Sequence, residues 1–402
     1  MQQPAVLGQD EVGTIVSHLS GIDDLAAAAA VSTIWRGEAL LRLVAARPLR
    51  PDSLIGRGLR IKEPTFLTVL SDGDIAIAES SLHRIFIFAS TGERRRTLGC
   101  FGYGGNCSEA RRVRDNSDAS FPWPLHLNYP KGIACDTSGR YMYIADRSNH
   151  RVVKSDLQND GAIVASIGSG MGPHDGRFKY PQGVAFARTT AHGAVVFVSD
   201  YGNDRVAVLD ADDLSWKHAI REAGRLALPA GLAVSATELF VVDASEHVVR
   251  VYDIDEVSNS ARARGELRTL GGRGTDPGEL DYPWGLAVDV HSRRLYVGEG
   301  GASGGRNGRV QVLCTASGES LQVVTLPDDA RVSGLCAEGE RVLAIDHHAR
   351  VIRVLTSAWG RPSDDACELS PDEGPADVES QRNPAAGDMA AAARAISVLN
   401  IS

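Results

Sequence analysis

The chain has 402 residues, 42 of them Lys or Arg and 51 Asp or Glu, for a formal net charge of -9. At 43% hydrophobic and 23% charged residues it can bury a sizeable core, and its acidic balance argues against nucleic acid as the main partner. Its six cysteines include no Cys-x-x-Cys pair, which speaks against a zinc site or a disulfide framework and predicts a reducing intracellular compartment, the cytoplasm with the nucleus as the alternative.

The opening residues, MQQPAVLGQDEV, lack a basic segment followed by an apolar one, so no secretory leader is expected. No run of the chain is long and apolar enough to span a bilayer, and no membrane partner is expected. Residues 1–50 read as a small helical module. Val12, Ile15, Val16 and Leu19 form a stripe at helical spacing. Asp23 or Asp24 can cap a helix entering the alanine run, and Ser32 can cap another that contains Trp35.

Residues 51–360 carry an internal repeat. An apolar strand after Pro-x-Gly is followed by a turn and a strand that ends in an acid. The copies are YPKGIACD with YMYIAD (Tyr129 to Asp146), YPQGVAFA with VVFVSD (Tyr180 to Asp200), LPAGLAVS with LFVVD (Leu228 to Asp243) and YPWGLAVD with RLYVGE (Tyr282 to Glu299). Weaker copies run from Glu63 to Glu79 and from Arg331 to Asp346, which makes six. A third strand follows each acid, as in HRIFIF, HRVVKS and DRVAVL, and several units close on a Gly-rich tail such as TLGGRG. Alternating β-branched runs between turns are strand signals. Each unit is therefore an antiparallel sheet of up to four strands that cannot cover both its faces alone, so the units must stack radially.

The last copy has no tail of its own, whereas SLIGRG at Ser53–Gly58 resembles one; this early strand is expected to complete the final blade and close the ring. An insertion at about residues 100–128 holds Arg111, Arg112 and Arg114, with Arg94–Arg96 just ahead of it. Cys135 and Cys336, in corresponding apolar strands, read as small buried hydrophobes. Residues 361–402 turn polar, acidic and Pro-containing, a composition that predicts a disordered tail.

The residues that recur are Pro-x-Gly-φ-Ala-φ-Asp, φ-Tyr-φ-Ala-Asp and Asn-His-Arg, where φ is apolar. They are nearly complete in Pro130, Gly132, Asp136, Tyr143, Ala145, Asp146, Asn149, His150 and Arg151. This pattern resembles the NHL repeat; the Gly-His and Trp-Asp marks of WD40 repeats are missing. The resemblance implies a mainly β fold, a six-bladed β-propeller. Leu7 to Arg36 resembles the F-box: Leu7, Val12, Ile15, Val16 and Leu19 match its first helix, and Leu25, Val31 and Trp35 lie in its later "DL…VS…WR" section. Gly8 and Asp10 depart from it, where proline and glutamate are usual. That resemblance implies docking on a Skp-type adaptor and a cullin complex through those apolar residues. The chain would then be the substrate-recognition subunit of a cullin-RING ubiquitin ligase, with no catalytic site, cofactor or metal of its own. The alternative for these helices is a small cap packed on the propeller.

Within the fixed frame two positions vary. The x of Pro-x-Gly is Lys131, Gln182, Ala230 or Trp284, with Thr65 and Ser333 in the weaker copies. The residue after the acid is Ser80, Arg147, Tyr201, Ala244, Gly300 or His347. Positions free of structural duty are expected to ring one mouth, and Lys131, Arg147, Tyr201, Trp284 and His347, together with Arg205 from the turn Tyr201–Arg205, are the expected contacts for an unidentified protein substrate. Two rival readings remain open. Lys131, Arg147, Arg151, Tyr201 and Arg205 can supply charge and stacking to single-stranded RNA. A metal-dependent propeller lyase or hydrolase would use the recurring acids as oxygen ligands.

Overall fold

The computed structural model describes residues 49–55, 61–102, 125–168, 170–189, 193–221, 226–259, 266–289, 291–300, 308–327, 330–339 and 341–357. The expected F-box-like module, with Leu7, Val12, Ile15, Val16, Leu19, Leu25, Val31 and Trp35, lies outside the described residues, as do the arginines of the insertion and the acidic tail.

Among the described residues the chain forms six four-stranded antiparallel sheets and one two-stranded pair. Blade 1 is Pro64–Val69, Ile75–Glu79, Arg84–Phe88 and Arg94–Leu98. Blade 2 is Pro130–Cys135, Tyr141–Asp146, Arg151–Asp156 and Ala162–Ile167. Blade 3 is Pro181–Thr189, Gly193–Asp200, Arg205–Asp210 and Trp216–Ile220. Blade 4 is Pro229–Val234, Glu238–Asp243, Val248–Asp253 and Glu266–Gly271. Blade 5 is Pro283–Asp289, Arg294–Glu299, Arg309–Cys314 and Ser320–Thr325. Blade 6 is Val332–Glu338, Arg341–Asp346 and Val351–Ser357, and its outermost strand is Leu49–Ile55 from the other end of the chain. The closing strand pairs antiparallel from Leu49↔Ser357 to Ile55↔Ile352. The closure is thus the one the missing tail predicts, though the strand starts earlier than Ser53.

Burial explains the strand compositions. The second strands IAIAE and RLYVGE are buried at every residue, because a blade covers each face. The outer strand RRRTL of blade 1 exposes its three arginines. Six apolar clusters lie at the six seams. One joins Ile77 and Phe86 of blade 1 to Leu343 and Ile352 of blade 6, so the seam between the first and last blades is packed like the others.

The Pro-x-Gly glycines serve the inner seams. A Cβ at Gly132 would strike the Gln182 carbonyl oxygen of the next blade, one at Gly183 that of Ala230, and one at Gly231 that of Trp284. At Gly334 it would lie 2.7 Å from the Thr65 carbonyl oxygen. The inner strands approach too closely for a side chain, and each carries an irregularity beside this point, for example between Pro130 and Ile133.

Two details depart from the sequence reading. A helix, α1 (Ile254–Asn259), leaves the third strand of blade 4. Asp253 caps it by accepting the Glu256 N–H at 3.0 Å, and Ile254 and Val257 enter the seam between blades 3 and 4. Cys135 and Cys336 are not level: Cys336 pairs with Leu343, as Ala134 pairs with Tyr143 one residue before Cys135. Burial pushes the Cys135 thiol up to about 12 and the Cys336 thiol up to about 11, so both behave as inert apolar groups.

Candidate functional site

The acid that ends each second strand is fully committed to the frame. Asp146 accepts the Asn128 N–H at 2.7 Å, the Asn149 side chain at 2.8 Å and Arg151 Nε at 2.7 Å. Asp200 repeats this with Lys179 N–H, Asn203 and Arg205, at 2.7, 2.8 and 2.7 Å. Arg250, Arg309 and Arg353 hold Asp243, Glu299 and Asp346 at 2.9, 3.0 and 2.6 Å. Glu79 of blade 1 takes the Lys62 and Glu63 N–H groups instead. Burial outweighs the nearby guanidinium and holds the Asp146, Asp200 and Glu299 carboxyls above the usual carboxylate range. Among the described residues no group of three or more His, Cys, Asp or Glu side chains is placed to hold a metal ion.

The recurring histidines are clasps between blades. Nδ1 of His83, His150 and His247 accepts the backbone N–H of Tyr129, Tyr180 and Tyr282 in the next blade, at 3.1, 3.2 and 3.1 Å. Each histidine ring also packs edge-on or tilted against that tyrosine. In blade 3 Asp204 takes the place of histidine and accepts the Leu228 N–H at 2.9 Å.

Around this frame the mouth is uneven. Trp284, from the inner strand of blade 5, lies against Tyr201, from the second turn of blade 3, with ring centroids 6.0 Å apart and planes tilted by 53°. Blade 4 stands between them in sequence. Its residues at the two variable positions are Ala230 and Ala244, both buried and small enough for the aromatic rings to meet. Arg147 lies with its guanidinium 4.7 Å from the centre of the Tyr180 ring. Its charge also acts on the Tyr201 phenol, whose pKa burial nevertheless raises. Lys131 reaches Glu63 of blade 1 at 3.4 Å, and burial lowers its pKa. Lys131, Arg147, Tyr201 and Trp284 are all half-buried.

Two expected contacts are placed differently. Arg205 is 0% exposed: besides Asp200 it donates to the Pro173 and Arg177 carbonyls, and the Trp216 ring lies 4.8 Å from its guanidinium. It belongs to the frame. His347 is half-buried and donates from Nδ1 to the Pro64 carbonyl at 3.1 Å, a link from blade 6 to blade 1. The variable positions are also not free of structural duty throughout, since Thr65, Ser80 and Gln182 are buried. Ser80 Oγ donates to the Pro130 carbonyl of blade 2 at 2.7 Å. Sequence reasoning singled out neither Tyr180, the platform under Arg147, nor the pairing of Tyr201 with Trp284. Both contacts cross from one repeat to another, so comparing copies position by position cannot reveal them.

The fold and site define a six-bladed β-propeller with an irregular mouth on a repetitive frame. No family model matches the chain. It is 25% identical over 354 residues to NHL repeat-containing protein 2 of Gallus gallus, a match that covers 73% of this chain and 46% of the relative. The chain therefore spans about half the length of that curated relative. Solved structures similar to it include a catalytically inactive virginiamycin B lyase from Staphylococcus aureus with quinupristin (15% identity, TM-score 0.47, 73% of this chain and 80% of the other). Kuenenia stuttgartiensis hydrazine synthase is another (14% identity, TM-score 0.47, 77% of this chain and 97% of the other). The repeats and the avian relative together support an NHL-type β-propeller.

Proposed function

We propose that this protein is a non-catalytic interaction scaffold whose propeller mouth holds a protein partner. The observation that carries the reading is the Tyr201–Trp284 pair, set beside Arg147 on a frame whose buried acids are already bonded. Tyr, Trp and Arg are the side chains enriched among those that dominate binding energy at interfaces. A rigid ring presenting a non-repeating rim suits recognition. The recurring carboxylates, which a metal-dependent lyase would need as open ligands, spend their oxygens on backbone N–H groups and arginines. The F-box-like pattern of Leu7 to Arg36 supports a role for the whole chain as a substrate-recognition subunit of a cullin-RING ubiquitin ligase.

Two measurements test this. Co-expressed with a Skp-type adaptor and cullin, the full chain co-purifies with them, and Leu19→Asp with Trp35→Ala abolishes the association while helicity is retained; failure of the wild type to co-purify removes the ligase role. Alanine at Arg147, Tyr201 and Trp284 together weakens binding of a mass-spectrometrically identified partner by more than about tenfold, with the melting temperature nearly unchanged. Undiminished binding by that variant rules out the mouth.

A further inference from the structure

The arginines of this propeller divide into two kinds. Arg151, Arg205, Arg250, Arg309 and Arg353 each face a buried carboxylate of their own blade. Arg147 does not. Among the described residues it is in no ion pair, its guanidinium rests on the Tyr180 ring at 4.7 Å, and its Nε is buried without a hydrogen-bond partner. A buried guanidinium N–H without an acceptor is costly, and a charged acceptor is the partner that best relieves it. At the next copy of the variable inner position stands Gln182, 2% exposed, whose Oε1 also lacks a hydrogen-bond partner. The mouth therefore holds, beside the Tyr201–Trp284 aromatic surface, a half-buried cation in no ion pair among the described residues, whereas the Gln182 oxygen is buried out of reach.

We propose that the mouth recognises an acidic polypeptide segment: a Glu or Asp carboxylate on Arg147 and a neighbouring apolar or aromatic side chain against Tyr201 and Trp284. A peptide supplies both groups within a few residues. The carboxylate forms a charge-assisted pair with a guanidinium already oriented by Tyr180. A phosphodiester strand fits less well, because Glu63 offsets Lys131 and Glu79 lies close enough to act on Lys131 as well, so among the described residues Arg147 is the one cation of this group without a carboxylate. Polyanions need a track of positive charge. The inference rests on the scaffold reading above and names the chemistry of the partner.

The experiment selects a randomised displayed peptide library against the full-length protein, Arg147→Gln, Arg147→Lys and Trp284→Ala. Direct binding of the selected peptides and of single-stranded polyuridylate follows. Wild-type selection yields peptides with Asp or Glu beside an aromatic residue. Replacing that acid with its amide weakens binding by about tenfold or more. Arg147→Gln binds acid and amide peptides equally, Arg147→Lys restores part of the preference, and Trp284→Ala weakens both. If wild type and Arg147→Gln select the same sequences, the carboxylate assignment falls while the mouth remains a peptide site. If no peptide is selected, or polyuridylate binds and competes instead, both the assignment and the scaffold reading fall. An unchanged melting temperature for Arg147→Gln separates lost binding from lost folding.

Discussion

Two arginines five or fewer residues after a blade acid can look alike in sequence and do opposite work. Arg205 lies inside blade 3 with Asp200 at 2.7 Å and three backbone carbonyls around it. Arg147 sits at the mouth with no carboxylate among the described residues. Their mutational signatures should differ accordingly. Arg205→Met leaves Asp200 buried and uncompensated, which costs about 3–5 kcal/mol and lowers the urea midpoint. A midpoint within experimental error of wild type means that Asp200 does not depend on Arg205. Arg147→Gln, by contrast, loses only a partly exposed cation–π contact, worth about 1 kcal/mol or less.

At the scale of elements, the blades are joined by repeated clasps, and most of these are titratable. His83, His150 and His247 use Nδ1 as an acceptor, which requires that nitrogen to be unprotonated. Burial lowers the pKa of His83 and His150 below the ordinary 6.5; at His83 Glu63 opposes the shift, and at His150 Arg147 adds to it while Asp200 opposes it. The unfolded chain therefore binds protons at these sites more readily than the folded one. Stability is fully present above 6.5 and is lost as pH falls from there through the lower folded-state values. The urea midpoint should drop between about pH 7 and pH 5. His150→Asn keeps a residue that tolerates the left-handed backbone at this place, φ 52°, yet does not titrate. That variant should show a shallower pH dependence than wild type; identical slopes would falsify a role for the clasp.

The whole ring depends on one strand brought back from the far end of the chain. Leu49 is 3% exposed in the seam of blades 5 and 6, and its backbone N–H and C=O are both bonded to the Gln322 side chain, at 2.7 and 2.8 Å. Because each blade packs on two neighbours and has no separate core, loosening this strand should weaken every seam in one cooperative transition. Leu49→Asp is expected to cost about 2–5 kcal/mol and to promote self-association through the exposed edge of blade 6. Calorimetry and light scattering read the two effects, and a variant as stable and monomeric as wild type would show that closure rests elsewhere.

Much of this was legible along the chain. The six copies, their four strands, the Gly positions and the return of the early strand follow from repetition, strand alternation and a missing last tail, because these are local or periodic properties of the residues. The capped helix at Ile254 was missed because its short D-I-D-E start lies inside a run that otherwise reads as repeat. The mouth was only half legible. Variation inside the frame points to Lys131, Arg147, Tyr201 and Trp284, whereas Arg205, expected beside them at the end of the turn that starts at Tyr201, is buried by the fold. What tertiary structure alone decided is which variable residues meet: Tyr201 with Trp284 across the two alanines of blade 4, and Arg147 with Tyr180 across one seam. Repetition specifies what every blade shares, whereas contacts between unlike residues of different blades arise only once the ring has closed and brought them within reach.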